Sequence, residues 1–355
     1  MSEIVAEKAF DLLDHKNTVC IDVRSEGEFE KGSFPGAVNI PLLNNEHRHI
    51  VGLVYKQKGQ EAAIVKGHEL VDPLRASLVQ RWKETLDRGQ TPLLYCWRGG
   101  LRSRISCEWI REGGGQVLQV IGGFKALREI SLKLLSSPPE FLVLAGMTGS
   151  GKSELLKEAP NPIDIEALAQ HRGSAFGIIP QKPQPTPIDF ENSLALKMRH
   201  PGTRFTVEDE SITIGRCRLS LPMYQKMARS PSILLEVPVE KRAHNIFLEY
   251  VTKPLEEDRR KEELEGHYLH CLAKIHRRLG GLESQNISKM INQAFERETS
   301  FDAHKPWIES LLTKYYDKMY THSLSKKERP LLFRGDFDAC KDWLQKWSKN
   351  PSIKI

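Results

Sequence analysis

One stretch narrows what this chain can fold into more than any other. Five apolar residues, Phe141-Leu142-Val143-Leu144-Ala145, run straight into Gly146-Met147-Thr148-Gly149-Ser150-Gly151-Lys152-Ser153, and a helical pattern starts at Lys152. The spacing G-x-x-x-x-G-K-S between an apolar strand and a helix is that of a phosphate-cradling loop, whose backbone N–H groups wrap an anion. Gly146, Gly149, Ser150, Gly151, Lys152 and Ser153 are therefore the expected phosphate site. Lys152 bridges phosphate oxygens there, and Ser153 contacts Mg²⁺ where a metal takes part. ATP is the default ligand of such a loop, but any diphosphate ester offers the same handle.

The rest of the chain supplies a second domain. With 355 residues there is length for about two cores. The stiff segment Ser136-Ser137-Pro138-Pro139-Glu140 marks the boundary, which predicts domains 1–137 and 138–355. In the first, apolar runs Val19 to Val23, Ala37 to Ile40, Leu93 to Tyr95 and Val117 to Ile121 read as buried strands. They alternate with helical stretches near 70–88, 102–112 and 123–135, the pattern of an α/β domain with a largely parallel sheet. In the second, Ile163 to Ile165, Phe205 to Val207 and Ile233 to Val237 are further strand candidates. From about 240 the spacing turns helical: Leu264, Tyr268, Leu272, Ile275 and Leu279 form one stripe, ended by Gly280-Gly281. Ile287, Met290, Ile291, Ala294 and Phe295 form another, and Trp307, Leu311, Leu312, Tyr315 and Met319 a third. Core packing is the expected role of these aromatics.

A second loop carries chemistry. Cys96 follows the strand ending at Tyr95 and is followed by Trp97-Arg98-Gly99-Gly100-Leu101-Arg102-Ser103. A thiol near a helix N-terminus faces unpaired N–H groups and the positive end of the dipole, both of which favour thiolate. Gly99 and Gly100 let the backbone curl into an anion nest, and Arg98 and Arg102 add cationic charge. Cys20, inside an apolar run, is expected to be core. Cys107 is expected to pack, a resolving thiol being the alternative. The six cysteines have no paired short spacings, which argues against a disulfide framework or a zinc ribbon. Cys271 with His267, His270 and His276 lies on one patterned helix and lacks the partner pair zinc requires.

For a metal-binding carboxylate, Thr206-Val207-Glu208-Asp209-Glu210-Ser211 is the first candidate, with Asp209 or Glu210 favoured for Mg²⁺; Asp164-Ile165-Glu166 is the second. His171-Arg172-Gly173-Ser174-Ala175-Phe176-Gly177 has the cations, glycines and aromatic of a substrate loop, with His171, Arg172 and Ser174 as its contacts, or is a surface turn. No apolar run reaches membrane-spanning length, and the acidic N-terminus lacks the features of a secretory leader, so a cytoplasmic location is expected. The net charge of +6 permits a polyanionic partner without requiring one.

Several motifs resemble known families. Asp22-Val23-Arg24, Glu28-Phe29, Gly32, Pro35-Gly36-Ala37-Val38-Asn39-Ile40-Pro41 and Ile121-Gly122-Gly123-Phe124 resemble the signatures of rhodanese-type sulfurtransferase domains, with Cys96 at the sulfur-carrying position. Many rhodanese loops are shorter. Five residues separate Cys96 from Arg102, as in phosphatases that attack phosphorus through cysteine, and the wider loop suits a larger oxyanion or a selenium-containing group. Together with the phosphate loop, Asp164-Ile165-Glu166-Ala167-Leu168-Ala169, His171-Arg172-Gly173-Ser174, Glu208-Asp209-Glu210-Ser211, Ile214-Gly215 and Tyr315-Tyr316-Asp317, nearly the whole chain resembles bacterial tRNA 2-selenouridine synthases. Asn45-Glu46-His47-Arg48, Val51-Gly52 and Tyr55-Lys56 look like a family-specific insertion.

The resemblance implies a rhodanese-like parallel-sheet domain followed by a P-loop NTPase-like α/β domain with a helical C-terminal part. It implies selenium replacing sulfur at a wobble 2-thiouridine of tRNA, through an S-geranyl intermediate, with geranyl diphosphate and selenophosphate as co-substrates. Cys96, Arg98 and Arg102 would then handle the selenium species and the phosphate loop the prenyl diphosphate. RNA would lie in an interdomain groove and on basic helix faces such as Lys274, Arg277 and Arg278, with a flipped base near Cys96. Two other classes stay open on the residues alone. One is a C-x5-R phosphatase joined to a kinase; the other is a non-catalytic sulfur-carrier or RNA-binding module.

Overall fold

The computed structural model describes residues 3–13, 15–86, 91–177, 183–200, 202–257, 259–296 and 299–349. The chain forms two compact units, Met1–Ser137 with Pro185–Arg199, and Pro138–Gln184 with His200–Ile355.

The first unit is built on strands β1 (Glu3–Ile4), β2 (Thr18–Asp22), β3 (Ala37–Asn39), β4 (Thr91–Tyr95) and β5 (Leu118–Val120), ordered β1-β5-β4-β2-β3 and parallel throughout. Ile21, Leu93 and Leu94 are fully buried, as a central parallel strand requires. Trp82 is also fully buried and donates its indole N–H to the Ile40 carbonyl at 3.1 Å. The helices expected near 102–112 and 123–135 are Leu101–Glu112 and Gly123–Ser136. The stretch expected near 70–88 is instead the end of a helix Asn45–Val71, a short turn, and a helix Arg75–Leu86; residues 87 and 88 lie outside the described residues. Asn45–Val71 buries only Ala63 and Val71, so it has no apolar stripe to announce it, and Gly59 (φ 83°) interrupts its helical backbone.

A helix from later in the chain, Pro187–Lys197, belongs to this unit and packs on Gly123–Ser136. Thr186 and Asp189 form a capping box at its start. The Asp189 carboxylate also accepts from the Ser33 N–H at 2.6 Å, and Arg128 donates to the Asn192 side chain at 2.9 Å.

The second unit has strands β6 (Phe141–Gly146), β7 (Pro162–Ile163), β8 (Phe205–Glu208), a separate antiparallel pair β9 (Thr213–Ile214) and β10 (Cys217–Arg218), then β11 (Ser232–Leu235) and β12 (Leu331–Gly335). The main sheet is parallel in the order β12-β11-β6-β8-β7, with β6 buried at every residue. β7 stops at Ile163 because Asp164 turns to cap the next helix, its carboxylate accepting from the Ala167 N–H at 2.8 Å. β12 is an edge strand inside the otherwise helical C-terminal part. The three expected stripes pack on one another as helices Lys261–Leu279, Gly281–Glu296 and Phe301–Leu311, the last continued by a π-helical turn, Leu312–Tyr316; Met319 is the exception, 44% exposed on the next helix, Asp317–Leu324. No helix among the described residues is long and apolar enough to cross a membrane.

Candidate functional sites

In the first unit β4 delivers Cys96 to the mouth of a backbone cradle. Among the described residues, the N–H groups of residues 97 to 103 donate to no backbone carbonyl, which leaves them for an anion. The cradle is held from behind by backbone packed on backbone. Phe124 and Lys125 donate their N–H groups to the carbonyls of Cys96 (2.8 Å) and Trp97 (2.9 Å). At Gly123 (φ 57°) a Cβ would lie 2.3 Å from the Cys96 carbonyl oxygen and 2.4 Å from the Gly99 nitrogen. The Gly122-Gly123 pair is thus the structural complement of the thiol loop.

Cys96 is buried, and its Sγ donates to the Ser103 hydroxyl at 3.3 Å. Ser103 also receives the Gln119 side-chain amide at 3.1 Å and donates to the Gly100 carbonyl. Arg98 is exposed beside the cradle. Arg102 is engaged: it donates to both Glu28 oxygens, at 2.6 and 3.2 Å. Burial works to raise the Glu28 pKa, but Arg102, the Ser25 N–H and Arg48 outweigh it and hold the carboxyl down at about 2. Cys107 is fully buried and burial pushes its thiol up to about 12, so it is a packing residue.

In the second unit the phosphate loop follows β6. Gly149 (φ 79°) and Gly151 (φ 87°) adopt the left-handed backbone that curls the loop. Lys152 folds back to donate to the Gly146 carbonyl at 2.9 Å. The helix Val239–Phe247 fixes the loop's outward carbonyls: Arg242 donates to Thr148 at 3.1 Å and Asn245 to Gly149 at 2.9 Å. Arg242 is itself clamped by both oxygens of Asp317, each at 2.8 Å. The Gly146 N–H donates to the Tyr320 hydroxyl at 2.7 Å.

Beside this loop three carboxylates, Glu166, Glu208 and Glu210, bring oxygens within 4.8 Å of one another. All three pKa values are raised, burial being the first cause in each. For Glu166 the charges of Glu210 and Glu208 add to it; for Glu208 and Glu210 Lys152 opposes it. Burial and mutual repulsion thus favour the protonated form of this cluster, and Glu166 and Glu210 are hydrogen-bonded to each other. The Ser153 hydroxyl lies against Glu208, whose Oε1 is buried with no hydrogen-bond partner among the described residues. Of the carboxylates favoured from sequence, Glu210 is in this group and Asp209 is not. Side chains alternate along extended chain, so Glu208 and Glu210 share one side. Asp209 faces the other, where it accepts from Lys327 (2.5 Å) and Arg329 (3.0 Å) with its side chain 1% exposed. Asp164 is the helix cap described above; its neighbour Glu166 reaches the cluster.

The loop 171–177 stands between this cluster and an apolar pocket. At Gly173 (φ 63°) a Cβ would lie 2.6 Å from Glu166 Oε1 and 2.8 Å from Glu210 Oε2. His171 is buried, its pKa lowered first by burial and then by Lys274. Arg172 pairs with Glu249 and lies 4.7 Å from the Tyr250 ring centroid. Ser174 and Phe176 reach the pocket, which Thr148 of the phosphate loop, Tyr250, Trp307 and Tyr316 also line. The pocket is a small, mostly apolar cleft of about 40 Å³. Lys274, Arg277 and Arg278 are exposed on the helix Lys261–Leu279.

Gln119 at the thiol, and Arg242, Asn245 and Tyr320 at the phosphate loop, were not singled out from sequence; Glu28 and Ser103 stood inside the rhodanese-like signature and the thiol loop with no role attached.

Residues 139–351 match the family described as tRNA 2-selenouridine synthase AAA domain, and residues 5–129 match the rhodanese-like domain. A tRNA 2-selenouridine synthase of Marinobacter nauticus is 41% identical over 341 residues, covering 91% of this chain and 93% of its own. One of Hahella chejuensis is 42% identical over 341 residues, covering 91% and 90%. One of Bordetella bronchiseptica is 42% identical over 344 residues, covering 92% and 93%. Among solved structures, the N-terminal domain of a Clostridium difficile 630 protein described as ATP/GTP binding has a TM-score of 0.34 and 33% identity, covering 37% of this chain and 99% of that one.

Proposed function

The chain belongs to the tRNA 2-selenouridine synthase family, and on that premise we propose how its two units divide the work of replacing sulfur by selenium in tRNA. The substrate is tRNA carrying 2-thiouridine at the wobble position, met in the cytoplasm. In the first step the phosphate loop holds geranyl diphosphate. The thiocarbonyl sulfur attacks C1 of the geranyl group, the C1–O bond breaks with its electron pair going to pyrophosphate, and the base loses its N3 proton. Lys152 and the loop N–H groups stabilise the charge that develops on the leaving pyrophosphate.

The observation that carries this reading is the apolar, aromatic pocket that opens at Thr148, on the phosphate loop itself. Its lining of Phe176, Ile246, Trp307, Ile308, Leu311 and Leu312 suits a prenyl chain at the mouth of the phosphate loop. Glu166, Glu208, Glu210 and Ser153 suit a hard divalent cation such as Mg²⁺, which takes carboxylate and hydroxyl oxygens and would supply Lewis-acid stabilisation of the diphosphate. Millimolar Mg²⁺ should raise the melting temperature of the wild-type protein by a few degrees. It should leave Glu208→Gln unmoved; an equal rise in both would place the ion elsewhere.

In the second step selenophosphate forms a C2–Se bond, geranylthiolate leaves with the C–S electron pair, and water removes the phosphoryl group as inorganic phosphate. The Cys96 thiol itself, with Arg98 and Arg102, positions the selenium donor, and this is the role that Cys96→Ser removes. Nucleoside mass spectrometry on thiolated tRNA, omitting each co-substrate in turn, tests the scheme. Without selenophosphate the S-geranyl nucleoside should accumulate, and Lys152→Ala should make none. Selenation in the absence of geranyl diphosphate would defeat the first step.

A further inference from the structure

The thiol loop carries a second feature that no role above uses. Trp97, directly after Cys96, is 40% exposed although its loop is otherwise tightly built. One face of its indole stacks on Phe124, with ring centroids 5.5 Å apart and planes 24° from parallel. The buried Arg24 guanidinium lies 3.8 Å from the Phe124 ring centroid and 5.9 Å from that of Trp97, and is locked by Asp22 at 2.6 Å. The Trp97 backbone is pinned by the Lys125 N–H. Phe124 and Arg24 thus hold the indole in place while 40% of the side chain stays exposed. Exposed Arg98 and Lys125 flank it, matching a phosphate backbone in charge. Among the described large hydrophobic side chains of this unit, Tyr55 is the other exposed aromatic, and it lies on the long helix far along the chain from the thiol loop.

We propose that Trp97 is the stacking platform for the modified pyrimidine of the tRNA, a positioning residue that holds the flipped base over the Cys96 cradle. The inference rests on the reading that the selenium step takes place at Cys96. A base inside a folded anticodon loop cannot reach a buried thiol, so it must leave its neighbours and lose their stacking. A flat, preordered ring restores that contact and accepts any pyrimidine face, leaving discrimination of C2 to the cradle.

Two substitutions separate stacking from packing. Trp97→Leu keeps apolar cover on Phe124 but presents no ring, whereas Trp97→Phe keeps a smaller ring. With S-geranylated tRNA supplied directly, together with selenophosphate, Trp97→Leu should raise KM for the tRNA about 10- to 100-fold, the loss seen when one base stack is removed, with kcat changed far less. Trp97→Phe should stay within about threefold of wild type. Indole fluorescence should be quenched when a thiolated anticodon stem-loop binds wild-type protein, and that component should vanish in Trp97→Phe while binding persists. An unchanged KM in Trp97→Leu, or equal quenching in Trp97→Phe, would overturn the proposal. Cys96→Ser distinguishes the premise: it should retain the quenching and lose turnover. If Cys96→Ser turned over normally, the underlying reading would fail whatever Trp97 did.

Discussion

At the scale of single residues, the thiol site is set by charges that already have partners. Arg102 does not wait free for an anion; Glu28 holds it, and Arg48 at 3.1 Å adds a second cation to the same carboxylate. Because the Glu28 pKa lies below its unfolded value, its contribution to stability is present above about pH 4.5 and is lost as the pH falls towards about 2. Glu28→Gln should therefore destabilise the protein by about 1–3 kcal/mol at pH 7, with the difference from wild type closing near pH 2. Urea unfolding at the two pH values measures it, and a difference that persisted at pH 2 would remove Glu28 from this role. The same variant releases Arg102 and should bind a small oxyanion at the cradle more tightly. The pairing of Arg102 with Glu28 was not legible from sequence, although Glu28 stood in the rhodanese-like signature. Cys96, Arg98 and Arg102 announce themselves by type and spacing, but the carboxylate that controls Arg102 lies 74 positions earlier. Its neighbourhood is decided only by the parallel order of β2 and β4.

Among the elements, legibility followed burial. β2, β4, β6, β8 and β11 are short apolar runs enclosed by other layers, and the residues alone locate them. Asn45–Val71 and the edge strand β12 are mostly solvent-facing, so neither leaves a clean periodic signal. The carboxylate cluster shows both outcomes: the acidic stretch after β8 was visible, but the choice between Asp209 and Glu208 depended on the phase of strand alternation. The strongest element-level constraint is the close contact between the thiol loop and the start of the helix Gly123–Ser136. Gly123→Ala should drive a Cβ into backbone atoms at 2.3 and 2.4 Å and cost about 2–4 kcal/mol, with loss of selenium transfer. Gly36→Ala, also at positive φ (74°) but with nothing within 4 Å, should cost only about 1–2 kcal/mol. Thermal unfolding of the two variants side by side makes the comparison, and equal losses would show that backbone crowding at the cradle is not the cause.

For the whole molecule, the chain is not divided as simply as its Pro-Pro boundary suggests. Pro185–Arg199 leaves the second half to complete the first unit, burying Phe190, Leu194, Ala195 and Leu196. A fragment ending at residue 137 should therefore melt well below one in which residues 185–199 are rejoined through a flexible linker, and should bind hydrophobic dyes that the rejoined form does not. Equal melting temperatures would make the helix a passenger. The excursion makes the first unit depend on a segment from the second half of the chain, and the proposed scheme has the two sites act in series on one tRNA. That sequence of events is the core of the account, and nucleoside mass spectrometry of Cys96→Ser tests it most directly. Given thiolated tRNA, geranyl diphosphate and selenophosphate, this variant should accumulate S-geranyl-2-thiouridine and form no 2-selenouridine. Normal 2-selenouridine formation by Cys96→Ser, or loss of geranylation along with selenation, would contradict the division of labour between the two sites.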